Sequence, residues 1–270
     1  MLLKDLLEIY IRDHSLPKMT EKSDRRAIRA PVERFGEVNA DRITTAKVRD
    51  YAARRAKSVS SATVRREVTA LQSVLNWGHR SGYVAAAVSF HKPRGGERRD
   101  KWLTEEDERT IKRLAEKQAS NQVRLILVLG LTYGARRGAM IELCNQPRQV
   151  NFQSGWIDFN VPGRPVNRKR RPSVPMTPAV RGVLEAVANN TPPGQPLLTE
   201  ADFRDFKRFM VNARYEWVTP HVLKHSAITL LLRAGKSIHQ VSALTQTDPR
   251  TLFEVYRHHS PEELLAIAER

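Results

Sequence analysis

The stretch Pro220-His221-Val222-Leu223-Lys224-His225-Ser226 sets two histidines and a lysine directly ahead of the apolar run from Ala227 to Leu232. A helix that begins there directs its free amides and its positive dipole end at the same place as these side chains, which is the chemistry of an anion site. His221 and His225 also have the i, i+4 spacing of a helical zinc pair. However, Val222 stands where His-Glu-x-x-His has its glutamate, and no cysteine or carboxylate lies at ligand spacing, so no metal is expected. A helix start in which one histidine caps and the other packs accounts for the same residues.

Three further stretches carry reactive side chains. Gly134-Ala135-Arg136-Arg137-Gly138 is a glycine-bounded turn. An arginine held in such a turn is a rigid two-pronged anion clamp, and its plainer role is to close a helix end on carbonyls. Asn167 to Arg171 reads NRKRR, a solvated basic turn by default, in which a lysine can serve as general acid to a leaving oxygen. Tyr256 lies in LFEVYRHHSPEELL beside Arg257, His258 and His259, and alone it reads as a packing residue.

The composition narrows the partner. Among 270 residues, 46 Lys and Arg face 29 Asp and Glu, a formal charge of +17. The excess divides almost evenly between residues 1–100 and 101–270, so a basic tail is not its source. Such a charge favours nucleic acid or an anionic membrane surface. No apolar run reaches the ~20 residues that cross a bilayer, and MLLKDLLEIYIRD reads as an amphipathic helix and not as a signal peptide, which leaves nucleic acid. The single cysteine, Cys144, fits a reducing, cytoplasmic compartment.

The elements that must position these residues are mainly helical. Residues 1–90 read as helical throughout; after SVSSA, the spacing of Val64, Val68, Leu71 and Leu75 marks one core stripe. Beside it run Arg65, Thr69, Gln72, Asn76 and His79, with Arg66 adjacent, side chains that suit phosphates and base edges or else form an ordinary solvated face. The Pro-, Gly- and charge-rich stretch around residues 93–101 reads as a linker between domains at 1–92 and 102–270. Beyond it, Thr104 and Asp107 form a capping-box pattern, and VRLILVLGLTY is apolar all round, hence central to the second core. GWIDFNV alternates and PSVPM can return as its partner in a small hairpin. Helices are expected from Thr177 nearly to Arg270, and Leu264, Leu265 and Ala268 give the last of them an apolar face for a neighbouring protomer or its own domain.

Taken in order, SSATVRREVTALQSVLNWGHRSGYV, LTYGARRGAMIEL, the basic hairpin, TPHVLKHSAITLLLRAG and LTQTDPRTLFEVYRHHSPEEL resemble the tyrosine recombinase, or phage integrase, family. The resemblance implies an N-terminal helical core-binding (SAM-like) domain and a C-terminal catalytic domain that clamp duplex DNA. It implies that Arg136 is the first catalytic arginine, His221 the histidine of His-x-x-Arg, and Tyr256 the nucleophile of a 3′-phosphotyrosyl intermediate. Lys169 is its hairpin lysine, with Arg168, Arg170 and Arg171 as neighbouring DNA contacts. It also implies no cofactor, a tetramer on DNA, a DNA-bending or directionality factor as accessory partner, and nucleoid association when DNA-bound. Two positions depart from the pattern: Lys224 replaces the second arginine and Gln246 replaces a histidine or tryptophan. A weakened or inactive recombinase-derived DNA-binding protein is therefore the alternative, with a nicking-resealing topoisomerase third.

Overall fold

The computed structural model describes residues 1–18, 20–94, 101–161 and 171–256. The chain divides into two units, Met1–Arg99 and Asp100–Arg270.

The first unit contains α1 (Leu3–Tyr10), α2 (Glu21–Phe35), α3 (Thr45–Arg55) and α4 (Ser61–Arg80), with a π-helical turn, Ile11–Ser15, continuing α1. Periodic apolar residues drive its assembly: Leu3, Leu6, Leu7 and Tyr10 of α1 meet Ile28 and Phe35 of α2 and Val64, Val68, Leu71 and Leu75 of α4. The Ser60 hydroxyl accepts from the Thr63 amide and starts α4. Glu67 is buried in this core, and its carboxylate accepts from the Tyr51 hydroxyl at 2.6 Å and from the Arg55 guanidinium at 2.9 Å. A buried charge so paired is tolerated; loss of Arg55 would leave it without a countercharge.

Helix does not continue to residue 90. α4 ends at Arg80, Gly82 takes a positive φ of 79°, and residues 84–93 return non-helically alongside α4. Phe90 on this segment is buried in the unit's core.

The second unit is built on α6 (Asn121–Tyr133), preceded by α5 (Glu105–Gln118) and followed by the short α7 (Arg137–Ile141). The Thr104 and Asp107 capping box is present at the start of α5. Three short strands, β1 (Val150–Asn151), β2 (Trp156–Asp158) and β3 (Ser173–Pro175), form an antiparallel sheet in that order. Val150, Ile157 and Val174 are in register across it and all three are buried. The β2–β3 pairing matches the expected hairpin, whereas β1 is too short to announce itself by alternation. Five helices follow among the described residues: α8 (Pro178–Ala188), α9 (Glu200–Asn212), α10 (Pro220–Arg233), α11 (Ile238–Thr245) and α12 (Pro249–Tyr256). Arg257 to His259 and the expected final helix, with Leu264, Leu265 and Ala268, lie outside the described residues.

α6 is buried nearly all round, as its sequence predicts, with α8, α9 and α10 packed around it. Its closest neighbour is α10: a Cβ at Gly130 would lie 2.7 Å from Leu223 Cδ1 and 2.9 Å from Leu223 Cβ. Only glycine allows that approach, and it sets the position of the reactive end of α10. At its C-terminus, the Tyr133 hydroxyl donates to the Pro175 carbonyl at 2.7 Å and accepts from the Thr177 amide, which ties the end of α6 to β3. A smaller apolar cluster of Ile228, Leu232, Val241, Leu252 and Tyr256 joins α10, α11 and α12.

Candidate active site

Arg136 owes its place to the end of α6. Gly134 closes that helix in the left-handed conformation, φ 56°, and Arg136 then takes an extended conformation as the residue that begins α7. Its side chain is half-buried. Burial, with the charge of Arg171 as a second cause, lowers its pKa from the ordinary arginine value. Arg171 is itself anchored at the foot of the hairpin, donating to Glu142 at 2.8 Å and to the Phe159 carbonyl at 3.2 Å. A guanidinium whose charge is disfavoured by burial and by a neighbouring cation forms a place where a bound anion relieves it. Arg137, by contrast, is exposed, pairs with Glu200 and lies over the Phe203 ring.

The start of α10 is capped by Thr219, whose hydroxyl accepts from the Val222 amide, with Pro220 as the first helical residue. Neither histidine caps. A threonine one residue before a proline is the stronger N-cap pattern, because the missing proline N–H is one the helix start does not use. His221 is exposed in the first turn. His225 packs edge-to-face against the Tyr256 ring, with centroids 4.8 Å apart. Tyr256 is buried, at 7% exposure, and burial pushes its hydroxyl up to about 12.

Lys224 lies between these features. It is 6% exposed, and its ammonium donates to the Gly134 carbonyl and to the Thr245 carbonyl, each at 3.0 Å. The resemblance sets Lys224 in the place of the second catalytic arginine, and its side chain is engaged with these two backbone carbonyls. Gln246, the residue after Thr245, closes α11 in the left-handed conformation at φ 47° and donates to the Ala243 carbonyl. The hairpin residues Arg168, Lys169 and Arg170 lie outside the described residues.

Burial, with the Arg136 charge second, pushes the Lys224 ammonium down to about 7. The neutral amine keeps two N–H donors, enough for both carbonyls. A lysine in the unfolded chain titrates near ~10.4, so between about pH 7 and pH 10 the unfolded state binds more protons here. Stability is therefore expected to rise with pH in that window, by at most about 1.4 kcal/mol per unit. Urea unfolding of the wild type across the window checks this, and Lys224→Met is expected to remove the rise.

In the first unit the polar stripe of α4 has found its own partner. The Asn76 side chain both donates to the Val88 carbonyl at 3.0 Å and accepts from the Val88 amide at 2.7 Å. Gln72 accepts from the Phe90 amide, His79 contacts the Val84 carbonyl, and Arg65 donates to the Pro93 carbonyl. The stripe thus holds the returning segment in register. Asn76→Ala should cost this unit about 1 kcal/mol, the lower end for a donor and an acceptor left without partners, because the Val88 backbone is part-buried. Urea unfolding measures it, with faster proteolysis between residues 84 and 93 as the local sign. Arg66 and Thr69 remain exposed, the Thr69 hydroxyl donating to the Arg65 carbonyl. With Arg65 and Ser73 they line an open groove of about 430 Å³ shared with Asp24 and Ile28 of α2.

No family model matches the sequence, and no curated protein matches it. Solved structures do. The Tn1549 transposon integrase in complex with circular intermediate DNA is 16% identical, covers 100% of both chains and gives a TM-score of 0.77. A lambda integrase dimer bound to a COC′ core site is 16% identical with a TM-score of 0.71, over 95% of this chain and 77% of that one. A lambda integrase tetramer bound to a Holliday junction is 15% identical with a TM-score of 0.68, over 91% and 77%. At these identities the likeness establishes the architecture: mainly helical, with a small antiparallel sheet, the chain has the fold of these DNA-bound integrases.

Proposed function

We propose that the protein is a site-specific DNA recombinase that cuts and rejoins duplex DNA through a tyrosyl-phosphate intermediate. One observation carries the reading. Adjacent residues of α10, Lys224 and His225, touch the turn that leads to Arg136, the turn that leads to Gln246, and the Tyr256 ring. Segments more than a hundred residues apart in sequence thereby converge on one helix start. The DNA complexes of the similar integrases and the charge of +17 support duplex DNA as the partner.

In this reading the Tyr256 hydroxyl attacks a backbone phosphorus, a P–O bond forms to tyrosine, and the bond to the 5′ oxygen breaks. The intermediate is a 3′-phosphotyrosyl link with a free 5′-hydroxyl. Because the ester energy is retained in that link, reversal of the same step rejoins the strand and neither ATP nor metal is needed. Arg136 neutralises the non-bridging oxygens, His221 donates a hydrogen bond or moves a proton, and Lys169 protonates the departing 5′ oxygen. Since the Tyr256 ring is buried among a small cluster, α12 must shift to present the hydroxyl to a phosphate. Assembly as a tetramer on DNA, an accessory DNA-bending or directionality factor, and residence in the cytoplasm at the nucleoid belong to the same proposal. Among the described residues no helix is long and apolar enough to cross a membrane.

The test starts from duplexes selected by the protein out of a random-sequence pool. Duplexes nicked so that the cleaved end diffuses away should trap a protein–DNA adduct that survives denaturant and is removed by protease. A second reading, a recombinase-derived protein that binds sites without cutting, draws on the engagement of Lys224 with backbone and on glutamine at position 246, which cannot titrate near neutral pH. Salt-sensitive binding without any adduct on the selected duplexes would establish that reading instead.

A further inference from the structure

We infer that Lys224 is a positioning residue, a latch that joins the C-terminal ends of α6 and α11 and so fixes the Arg136 and Gln246 turns relative to one another. Three observations converge on it. Its ammonium is shared at 3.0 Å between the carbonyls of Gly134 and Thr245. Each carbonyl stands at a helix end closed by a left-handed residue, Gly134 itself in α6 and Gln246 after Thr245 in α11. A helix C-terminus leaves backbone carbonyls without helical N–H partners, and the Lys224 nitrogen, charged or neutral, has an N–H for each of these two.

The packing around Gly134 makes the junction tight. A Cβ added there would lie 3.2 Å from Lys224 Cγ and 3.5 Å from Thr245 Cγ2, so the α6 turn, the lysine stem and the end of α11 already meet. Arg136 follows Gly134 by two residues and Gln246 follows Thr245 by one. Movement at either carbonyl is therefore passed almost directly to a site residue. Lysine suits this task better than arginine, because a single tetrahedral nitrogen fits between two carbonyls where a planar guanidinium needs a wider space. The substitution at this position thus exchanges one role for another: a side chain that would face a phosphate assembles the site from behind through its hydrogen bonds.

The roles of Arg136 and Gln246 rest on the proposed strand-transfer function; the latch itself does not, and the experiment has an arm for each. Hydrogen–deuterium exchange of the full chain is compared for wild type, Lys224→Met and Lys224→Arg. The latch predicts that amides of 134–137 and 245–248 exchange faster together in Lys224→Met, by about tenfold or more, with α8 and α9 unchanged. On the nicked duplex, Lys224→Met should form adduct on the order of 10²-fold more slowly at unchanged duplex affinity, the scale of a small misplacement of reacting groups. Lys224→Arg should fail to restore either property. If Lys224→Met does not fold, Lys224→Gln, which keeps an amide donor, should loosen at least one of the two turns. Wild-type exchange at both turns in the neutral variant, or adduct formation faster than wild type in Lys224→Arg, would overturn the latch. Absence of adduct from wild type with both turns loosened in Lys224→Met would overturn the recombinase reading and leave the latch standing.

Discussion

Tyr256→Phe is expected to retain duplex binding and to lose the covalent adduct completely. The ring packs edge-to-face on His225 and lies among Ile228, Leu232, Val241 and Leu252, and phenylalanine preserves each of those contacts. Only the oxygen that would bond to phosphorus is removed, so no slower route of the same chemistry remains. Gel analysis under denaturing conditions reads the adduct, and anisotropy on the same duplex reads binding. An equal adduct yield from the phenylalanine variant would show that another residue is the nucleophile. The variant also has an alkaline signature. The folded-state hydroxyl is pushed up to about 12, above the ~10 of an unfolded tyrosine. Its contribution to stability is present below about pH 10 and is lost as pH rises toward 12. Tyr256→Phe should therefore lose less stability than wild type across that interval, as followed by circular dichroism.

The second large effect is expected at Arg136. Arg136→Ala should slow adduct formation by about 10²–10³-fold, the range for removal of one preorganised donor at a developing oxyanion. Duplex affinity should fall much less, since many cations share the electrostatic attraction and each contributes one phosphate contact at most. Arg136→Lys should recover only part of the rate, because an ammonium cannot grip two oxygens with one planar fork. Single-turnover kinetics on the nicked duplex separates these outcomes. A loss of affinity as large as the loss of rate would mean that Arg136 acts in binding alone.

Much of the second unit is legible in the amino-acid order because its signals are local. The unbroken apolar run of α6, the Thr104 and Asp107 pair, and the alternation around Trp156 each specify an element through residues a few positions apart. The features that escape such reading depend on where distant chain returns. Gln72, Asn76 and His79 have the chemistry of base readers, yet the groups they bind are the backbone of residues 84–90, and nothing in their spacing distinguishes the two. The non-helical course of that return likewise follows from tertiary hydrogen bonds more than from propensity.

Lys224 does leave a trace in the sequence. Its helical neighbours at i+3 and i+4 are Ala227 and Ile228, both core residues, which places the lysine on a buried face and not on a solvated one. A charge on such a face requires carbonyls or a carboxylate within reach. Which carbonyls they are, at positions 134 and 245, only the folded chain specifies.

α10 combines several duties at consecutive positions. Leu223 fills the gap left by Gly130, Lys224 and His225 make the contacts described, and Ser226 accepts from the Leu103 amide at 2.8 Å while donating to the Val222 carbonyl. A rotation of the helix by one residue would misalign all four at once. The segment's register is thereby specified by four different neighbours at once, and a homologue with a different residue at 224 should carry matching changes at the two turns it faces.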